Sequence, residues 1–345
     1  MNTATASSAQ FAAAIAPRPR LGFLGLGWIG THRLAAIARA GVAEIVAIVD
    51  PMEDMLAAAA QHAPNAFHFR DSNQLLERDL NGIVIATPSA QHAGQSIAAL
   101  NRGLAVFCQK PLGRNTSEVC EVIDAARSAN RLLGVDLSYR YTAGLQKIRQ
   151  LVRANELGEI FAVDLVFHNA YGPQKSWFHS PAQSGGGCVI DLGIHLVDAA
   201  LWILDQPIVN VSSRLFHEGE RIDRLEPVCE DYAAVRFDLA NGAAINLNCS
   251  WYLHAGRDAV IVASFYGTKG GAALRNVNGS FYDFVAERFT GTTRQLLAEP
   301  PDEWFGYAAV EWARRLAIDG NFDPEIERII EVAAALDLIY ENANA

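Results

Sequence analysis

The stretch LGFLGLGWIGTHRLAAIARA, residues 21–40, decides the fold, and EIVAIVD, residues 44–50, extends its reading. An apolar run leads into Gly25-Leu26-Gly27-Trp28-Ile29-Gly30, and a helical pattern follows. This G-x-G-x-x-G spacing between strand and helix suits a dinucleotide. The first glycine makes the tight turn, the second lets backbone approach a pyrophosphate, and the third lets helix and strand pack closely. The helix N-terminus adds free N–H groups and partial positive charge. Asp50 lies twenty residues past Gly30, at the end of the next strand. A carboxylate there accepts a hydrogen bond from an adenosine ribose. It also repels a 2′-phosphate, and Pro51-Met52-Glu53-Asp54 supplies no cation to offset that repulsion. The expected cofactor is NAD in preference to NADP, touched by Gly25, Gly27, Trp28, Ile29, Gly30 and Asp50.

Working outward, strands and helices alternate. GIVIAT (82–87), LAVFC (104–108) and LLGVDL (132–137) are apolar without alternation, the pattern of strands covered on both faces. Helical segments between them imply βαβ units and a parallel sheet. Asp71-Ser72-Asn73 caps a short helix expected over 74–79. Near residue 140 the rhythm changes. One helix is expected over 141–155 and another from about Gly187. Alternating segments then follow: IVNVSSRLFH, DYAAVRFDL, AAINLNCSWYL and AVIVASFYG. Asn241-Gly242 signals a hairpin. The expectation is α/β throughout. A doubly wound Rossmann domain spans 21–140. A C-terminal α/β domain with a large, open, mostly antiparallel sheet spans 141–345. Residues 303–318 and 324–341 are helical, and the last helix is a candidate to pack back on the first domain. Residues 1–20 read as a tail, with a weak export signal as the alternative.

The 345 residues carry 28 Lys plus Arg against 38 Asp plus Glu, a formal charge of −10. That balance argues against a nucleic-acid partner, because phosphate needs a basic footprint. Half the residues are hydrophobic, which excludes a disordered chain. No uninterrupted apolar run reaches the roughly 18 residues of a spanning helix, so no membrane partner is expected. Five scattered cysteines without Cys-x-x-Cys argue against a disulfide framework or a metal site and suggest the cytoplasm.

Two further blocks carry chemistry. Gln109-Lys110-Pro111 follows the strand LAVFC, and Thr87-Pro88 with His92 ends another strand at the same carboxyl edge. Ligands of open α/β sheets bind outside that edge. In the second half, SGGGCVIDLGIHLVDAALWIL (184–204) sets Asp191 and His195 four residues apart on a predicted helix face. A carboxylate beside an imidazole orients it and raises its pKa, the need of a general base. The bland readings are a solvated surface lysine and an ordinary i, i+4 polar pair.

Together the glycine loop, Asp50, Thr87-Pro88 with His92, Lys110-Pro111 and Gly-Gly-Gly followed by Asp191-x-x-x-His195 resemble the Gfo/Idh/MocA oxidoreductases, from about Leu21 to the C-terminus. The resemblance implies a Rossmann domain, a sheet-based second domain, and a homodimer or homotetramer formed through that sheet. It puts Lys110, Asp191 and His195 on the family's catalytic positions. One departure is Gln109, where the family usually carries Glu.

The implied reaction moves a hydride between nicotinamide and a carbinol carbon of a sugar or polyol. His195 serves as base, Asp191 orients it, and Lys110 stabilises the developing alkoxide; Lys110 and His195 can exchange the proton role. Expected cofactor contacts also include Thr87, Pro88, His92, Gln109 and Lys110. Expected substrate contacts are Lys110, Tyr139, Arg140, Tyr171, Trp177, Asp191 and His195, with His168, Asn169 and Lys175 nearby as further readers of hydroxyls. Tyr139, Trp177 and Phe178 equally suit core or domain-interface packing. Trp202, Trp251, Trp304 and Trp312 read as core aromatics. An NAD-dependent glycosidase and a non-catalytic dinucleotide-binding regulator are the alternatives.

Overall fold

A computed structural model describes residues 18–223 and 227–343. The expected N-terminal tail lies outside the described residues up to position 17, and Arg20 already opens the first strand. The apolar runs of the first half form one six-stranded parallel sheet in the order β3-β2-β1-β4-β5-β6. These strands are β1 (Arg20–Leu24), β2 (Glu44–Val49), β3 (Phe67–Phe69), β4 (Gly82–Ile85), β5 (Ala105–Cys108) and β6 (Leu133–Val135). Helices α1 (Trp28–Ala40), α2 (Glu53–Ala60), α3 (Ser72–Leu76), α4 (Ser89–Leu100) and α5 (Thr116–Ala129) connect them. The order reverses between β1 and β4, and ligands of such sheets bind at that switch point. Asp71 caps α3 by accepting from the Asn73 amide at 2.9 Å, so this helix starts earlier than the sequence suggested.

The helix expected over 141–155 is split. A 3₁₀ turn covers Ser138–Tyr141, and α6 (Ala143–Arg153) starts afresh with Thr142 as its N-cap. Next come β7 (Ile160–Asn169), the short α7 (Pro181–Ser184) and α8 (Ile194–Leu204). The second sheet has nine strands: β7, then β8 (Ile208–His217), β9 (Glu220–Ile222), β10 (Tyr232–Leu239), β11 (Ala244–Ser250), β12 (Ala259–Gly267), β13 (Gly271–Asn276), β14 (Phe284–Thr290) and β15 (Thr293–Ala298). Their order is β15-β14-β13-β12-β7-β11-β10-β8-β9. Every pairing is antiparallel except β7 with β11. The Asn241-Gly242 turn joins β10 to β11, with Gly242 at φ +85°. Strands β13 to β15 escaped the sequence reading because GAALRN and TRQLLA lack a clean alternation.

The helical stretch Pro181–Leu204 is long and apolar enough to cross a membrane, with mean hydropathy 1.7. Its most apolar window is 78% buried inside the protein, and α8 packs on β7, so it serves as a core helix. Ser, Asp and His interrupt its apolar residues, which is why no continuous run stood out. The chain then returns to the first sheet. Helix α9 (Tyr307–Ile318) lies on α1, and Trp312 packs on Phe107 with ring centroids 5.6 Å apart. Helix α10 (Ile329–Glu341) lies between α5 and α8.

Closeness in the glycine loop is set by backbone. Gly25 holds φ +88°, and a Cβ on Gly30 would sit 2.0 Å from the Gly25 carbonyl oxygen. Replacing Gly30 with Ala should therefore push α1 off β1 and destabilise the protein by roughly 2 kcal/mol or more, read as a lower urea midpoint.

Candidate active site

One cavity of about 550 Å³ opens along the carboxyl edge of the first sheet and is closed on its far side by elements of the second half. The glycine loop reaches it through Gly27, Trp28 and Ile29. Gly25 and Gly30 lie behind, shaping the turn. The Asp50 carboxylate is buried against this loop. Its oxygens accept from the Leu26 amide at 2.8 Å and the Met52 amide at 2.9 Å. Helix α1 has no side-chain cap and no acidic residue in its first turn, so its amides remain free for an anion. The glycine cradle, the uncapped helix and the carboxylate at the end of β2 fit a dinucleotide.

Beyond the loop, Thr87 and Ser89 line the cavity on either side of Pro88, which precedes α4. His92 is 1% exposed, and both ring nitrogens face carbonyls, that of Pro111 at 2.6 Å and that of Thr87 at 2.7 Å. Burial pushes its pKa down. His92, expected to touch cofactor, lines the cavity, and one ring N–H donates to a carbonyl of the neighbouring strand-end loops.

Gln109 and Lys110 face the cavity as expected. The Gln109 amide donates to Asp136 at 2.9 Å, and its carbonyl accepts from the Lys110 amide at 2.9 Å. An amide makes both bonds at once; a carboxylate here would stand against the carboxylate of Asp136. Arg33 completes this group, donating to Asp136 at 2.5 Å and to Ser138 at 3.0 Å. Its guanidinium is buried under the Phe305 ring, 4.2 Å from the centroid, and one Nη has no hydrogen-bond partner. Neither Arg33 nor Asp136 was singled out from sequence, since their positions, 103 residues apart, give no local signal.

The Lys110 ammonium crosses to the second half. It donates to the Asp191 backbone carbonyl at 2.6 Å and the Asp191 carboxylate at 2.9 Å. The other carboxylate oxygen accepts from Trp251 Nε1 at 3.1 Å. Trp251, read as core, is thus also a ligand of the site carboxylate.

The expected Asp191–His195 partnership is corrected by this geometry. Residues Val189–Gly193 form a π-helical turn before α8. An α-helix would stack i over i+4; the wider turn breaks that alignment and turns Asp191 toward Lys110. The Glu230 carboxylate anchors the turn, accepting from the Gly187 and Val189 amides at 2.9 Å and the Tyr340 hydroxyl at 2.9 Å. His195 Nδ1 is buried without a hydrogen-bond partner. Its pKa is held well below the usual histidine value by burial, then by the positive charges of Lys110 and Arg33. It is therefore lowered, where a carboxylate partner would have raised it.

Tyr139 lies in the wall, packed on His195 at 4.8 Å and on Trp304 at 5.0 Å. Burial pushes its hydroxyl pKa up. Trp304, read as core, also lines the cavity, as do Trp177 and Phe178, whose rings stack at 3.7 Å. Two expected substrate contacts are not brought in. Arg140 forks onto the buried Asp198 of α8, away from the cavity lining. Tyr171 points to solvent and donates to Asp258 at 2.6 Å. Both are near the site in sequence, but the 3₁₀ turn at 138–141 and the end of β7 turn them away from the cavity, Arg140 into the protein and Tyr171 to solvent. His168 bonds Ser250 at 2.8 Å on the second sheet and is not part of the lining, while Asn169 is. Among the described residues, no cluster of three or more His, Cys, Asp or Glu could hold a metal ion.

Residues 20–137 match the oxidoreductase family with an NAD-binding Rossmann fold, and residues 145–273 match the GFO/IDH/MocA C-terminal domain. A putative UDP-kanosamine synthase oxidoreductase subunit of Amycolatopsis mediterranei S699 is 30% identical over 292 residues, covering 80% of each chain. The D-glucoside 3-dehydrogenase of Escherichia coli K12 is 29% identical over 244 residues, 67% of this chain and 69% of that one. Inositol 2-dehydrogenase 3 of Saccharopolyspora erythraea is 27% identical over 238 residues, 67% and 68% of the two chains. The fold is shared with levoglucosan dehydrogenase solved with NADH and L-sorbose, at TM-score 0.79 and 20% identity over 95% of this chain and 97% of that one. Both halves of the molecule are thus accounted for by one lineage, and the chain belongs to the GFO/IDH/MocA family of oxidoreductases.

Proposed function

We propose that this protein is an NAD-dependent dehydrogenase acting on a CH–OH carbon of a sugar or polyol. The observation that carries the reading is the meeting of Lys110, Asp191 and His195 in one cavity that continues onto the glycine loop. Bound NAD supplies the hydride acceptor. The protein positions the alcohol and manages its proton. His195, kept neutral by burial and by neighbouring cations, accepts the hydroxyl proton. Lys110, steered by the two bonds it donates to Asp191, also donates to the same oxygen and stabilises the charge that develops there. Asp191 acts on the lysine rather than on the imidazole. Aromatic walls at Trp177, Phe178 and Trp304 exclude water and present flat faces to the C–H side of a sugar ring. The names of the sugar and inositol dehydrogenases among the relatives support this substrate class.

The chain divides near residue 140, with cofactor chemistry on the first sheet and substrate contacts mostly on the second. Strands of the nine-stranded sheet carry the exposed apolar residues Phe161, Val209, Tyr266 and Leu296, and we infer assembly into a homodimer or homotetramer through that sheet. We place the enzyme in the cytoplasm, where its five cysteines stay reduced.

A screen of sugars, inositols and sugar acids with NAD, reading NADH formation, tests the activity; no turnover with any of them would count against it. Lys110→Met should lower kcat/KM by roughly 10²-fold or more while NADH affinity stays within about twofold. Because the His195 pKa is lowered and the neutral ring is the active form, kcat/KM for oxidation should hold as pH falls through 6.5. The loss should come only below that, and a limb centred at or above 6.5 would contradict the base assignment. Asp50 disfavours a 2′-phosphate, so titration should find NAD bound at least about tenfold more tightly than NADP.

A further inference from the structure

The loop between β7 and α7 carries Lys175, whose side chain is exposed but whose ammonium is not far from protein. A Cβ built on Gly27 would lie 2.9 Å from Lys175 Nζ. The ammonium of the second half therefore sits directly over the second glycine of the G-x-G-x-x-G loop. Among the described residues it has no hydrogen-bond or ion-pair partner. What it faces is the N-terminus of α1, which has neither a side-chain cap nor an acidic residue in its first turn.

Two positive poles face each other here. The helix end carries about half a unit of positive charge, and the ammonium a full one. Such a pair repels unless an anion lies between. The ammonium stands where the glycine loop would bring the pyrophosphate of a dinucleotide, and its long exposed side chain can swing aside to pair with that anion. We propose that Lys175 clamps that pyrophosphate against the α1 N-terminus, and that this contact seats the substrate wall. This inference rests on the dinucleotide site described above.

The second half of the proposal follows from the chain itself. Lys175 is the N-cap of the 3₁₀ turn Ser176–His179, and Trp177 and Phe178 of that turn line the cavity. Pinning the ammonium two residues before Trp177 fixes the position of the stacked rings. Bound cofactor thereby completes the pocket that the sugar enters. Lys175, expected from sequence to read a sugar hydroxyl, acts on the cofactor instead.

Equilibrium binding tests this without turnover. Dissociation constants for NADH and for ADP-ribose are measured by titration calorimetry in wild type, Lys175→Met and Lys175→Arg. The methionine variant should lose about tenfold in affinity for both ligands, the loss of one charge-assisted hydrogen bond. Its affinity should also fall less steeply with salt than that of wild type. The arginine variant should stay within about threefold of wild type, since the charge is kept. Equal NADH affinity in wild type and Lys175→Met overturns the clamp while leaving the dinucleotide reading intact. An equal loss in the arginine variant also overturns it, because charge would not be the cause. Failure of wild type to bind either ligand strikes the dinucleotide reading itself.

Discussion

Lys110 and Asp191 are 81 residues apart and belong to different halves of the chain, yet one ammonium joins them twice, through the backbone carbonyl and through the carboxylate. Both side chains are largely enclosed, at 14% and 19% exposure. A charge so placed needs a partner, because removing one member of an enclosed pair leaves the other desolvated and unpaired. The cavity is thereby built as a joint between the two halves. The end of β5 delivers the lysine, and the segment before α8 delivers the carboxylate.

That second delivery depends on a local irregularity. A regular helix through 188–204 would direct Asp191 along the face of His195. The π turn gives Lys110 a backbone carbonyl as well as a carboxylate, and leaves the imidazole without its expected partner. Glu230 stabilises the irregular start by taking two of its amides, and Tyr340 of α10 holds Glu230 in place. The last helix thus supports the site from behind. Burial pushes the pKa of Glu230 up, against the bonds that favour its charged form.

A second polar group supports the other wall. Arg33, Asp136, Ser138 and Gln109 bind one another where α1, the end of β6 and the lysine loop converge. The charge of Asp136 is matched by Arg33, and Gln109 adds a neutral donor. The result is a lysine loop fixed in position with no second carboxylate beside it, which explains how Gln109 fits where the family resemblance led to an expectation of Glu. Phe305 and Tyr282, from the second half, close over Trp28 of the glycine loop, with Trp28–Phe305 centroids 5.4 Å apart.

The amino-acid sequence alone determined the parallel sheet, the glycine loop, Asp50 and the hairpin at Asn241-Gly242, because each is written in contiguous residues whose periodicity or backbone freedom carries the signal. It also singled out Lys110, Asp191 and His195, since strand ends and helical spacing are local features. Which of them touch was decided by tertiary structure. Spacing linked Asp191 to His195, whereas the fold linked it to Lys110 and Trp251. The same limit applies to Arg140 and Tyr171, which are near the site in sequence and turned from it in space, and to Arg33 and Asp136, which lie 103 residues apart and meet beside it. Side-chain direction at a turn, and the meeting of groups a hundred residues apart, depend on packing that no short window of sequence contains.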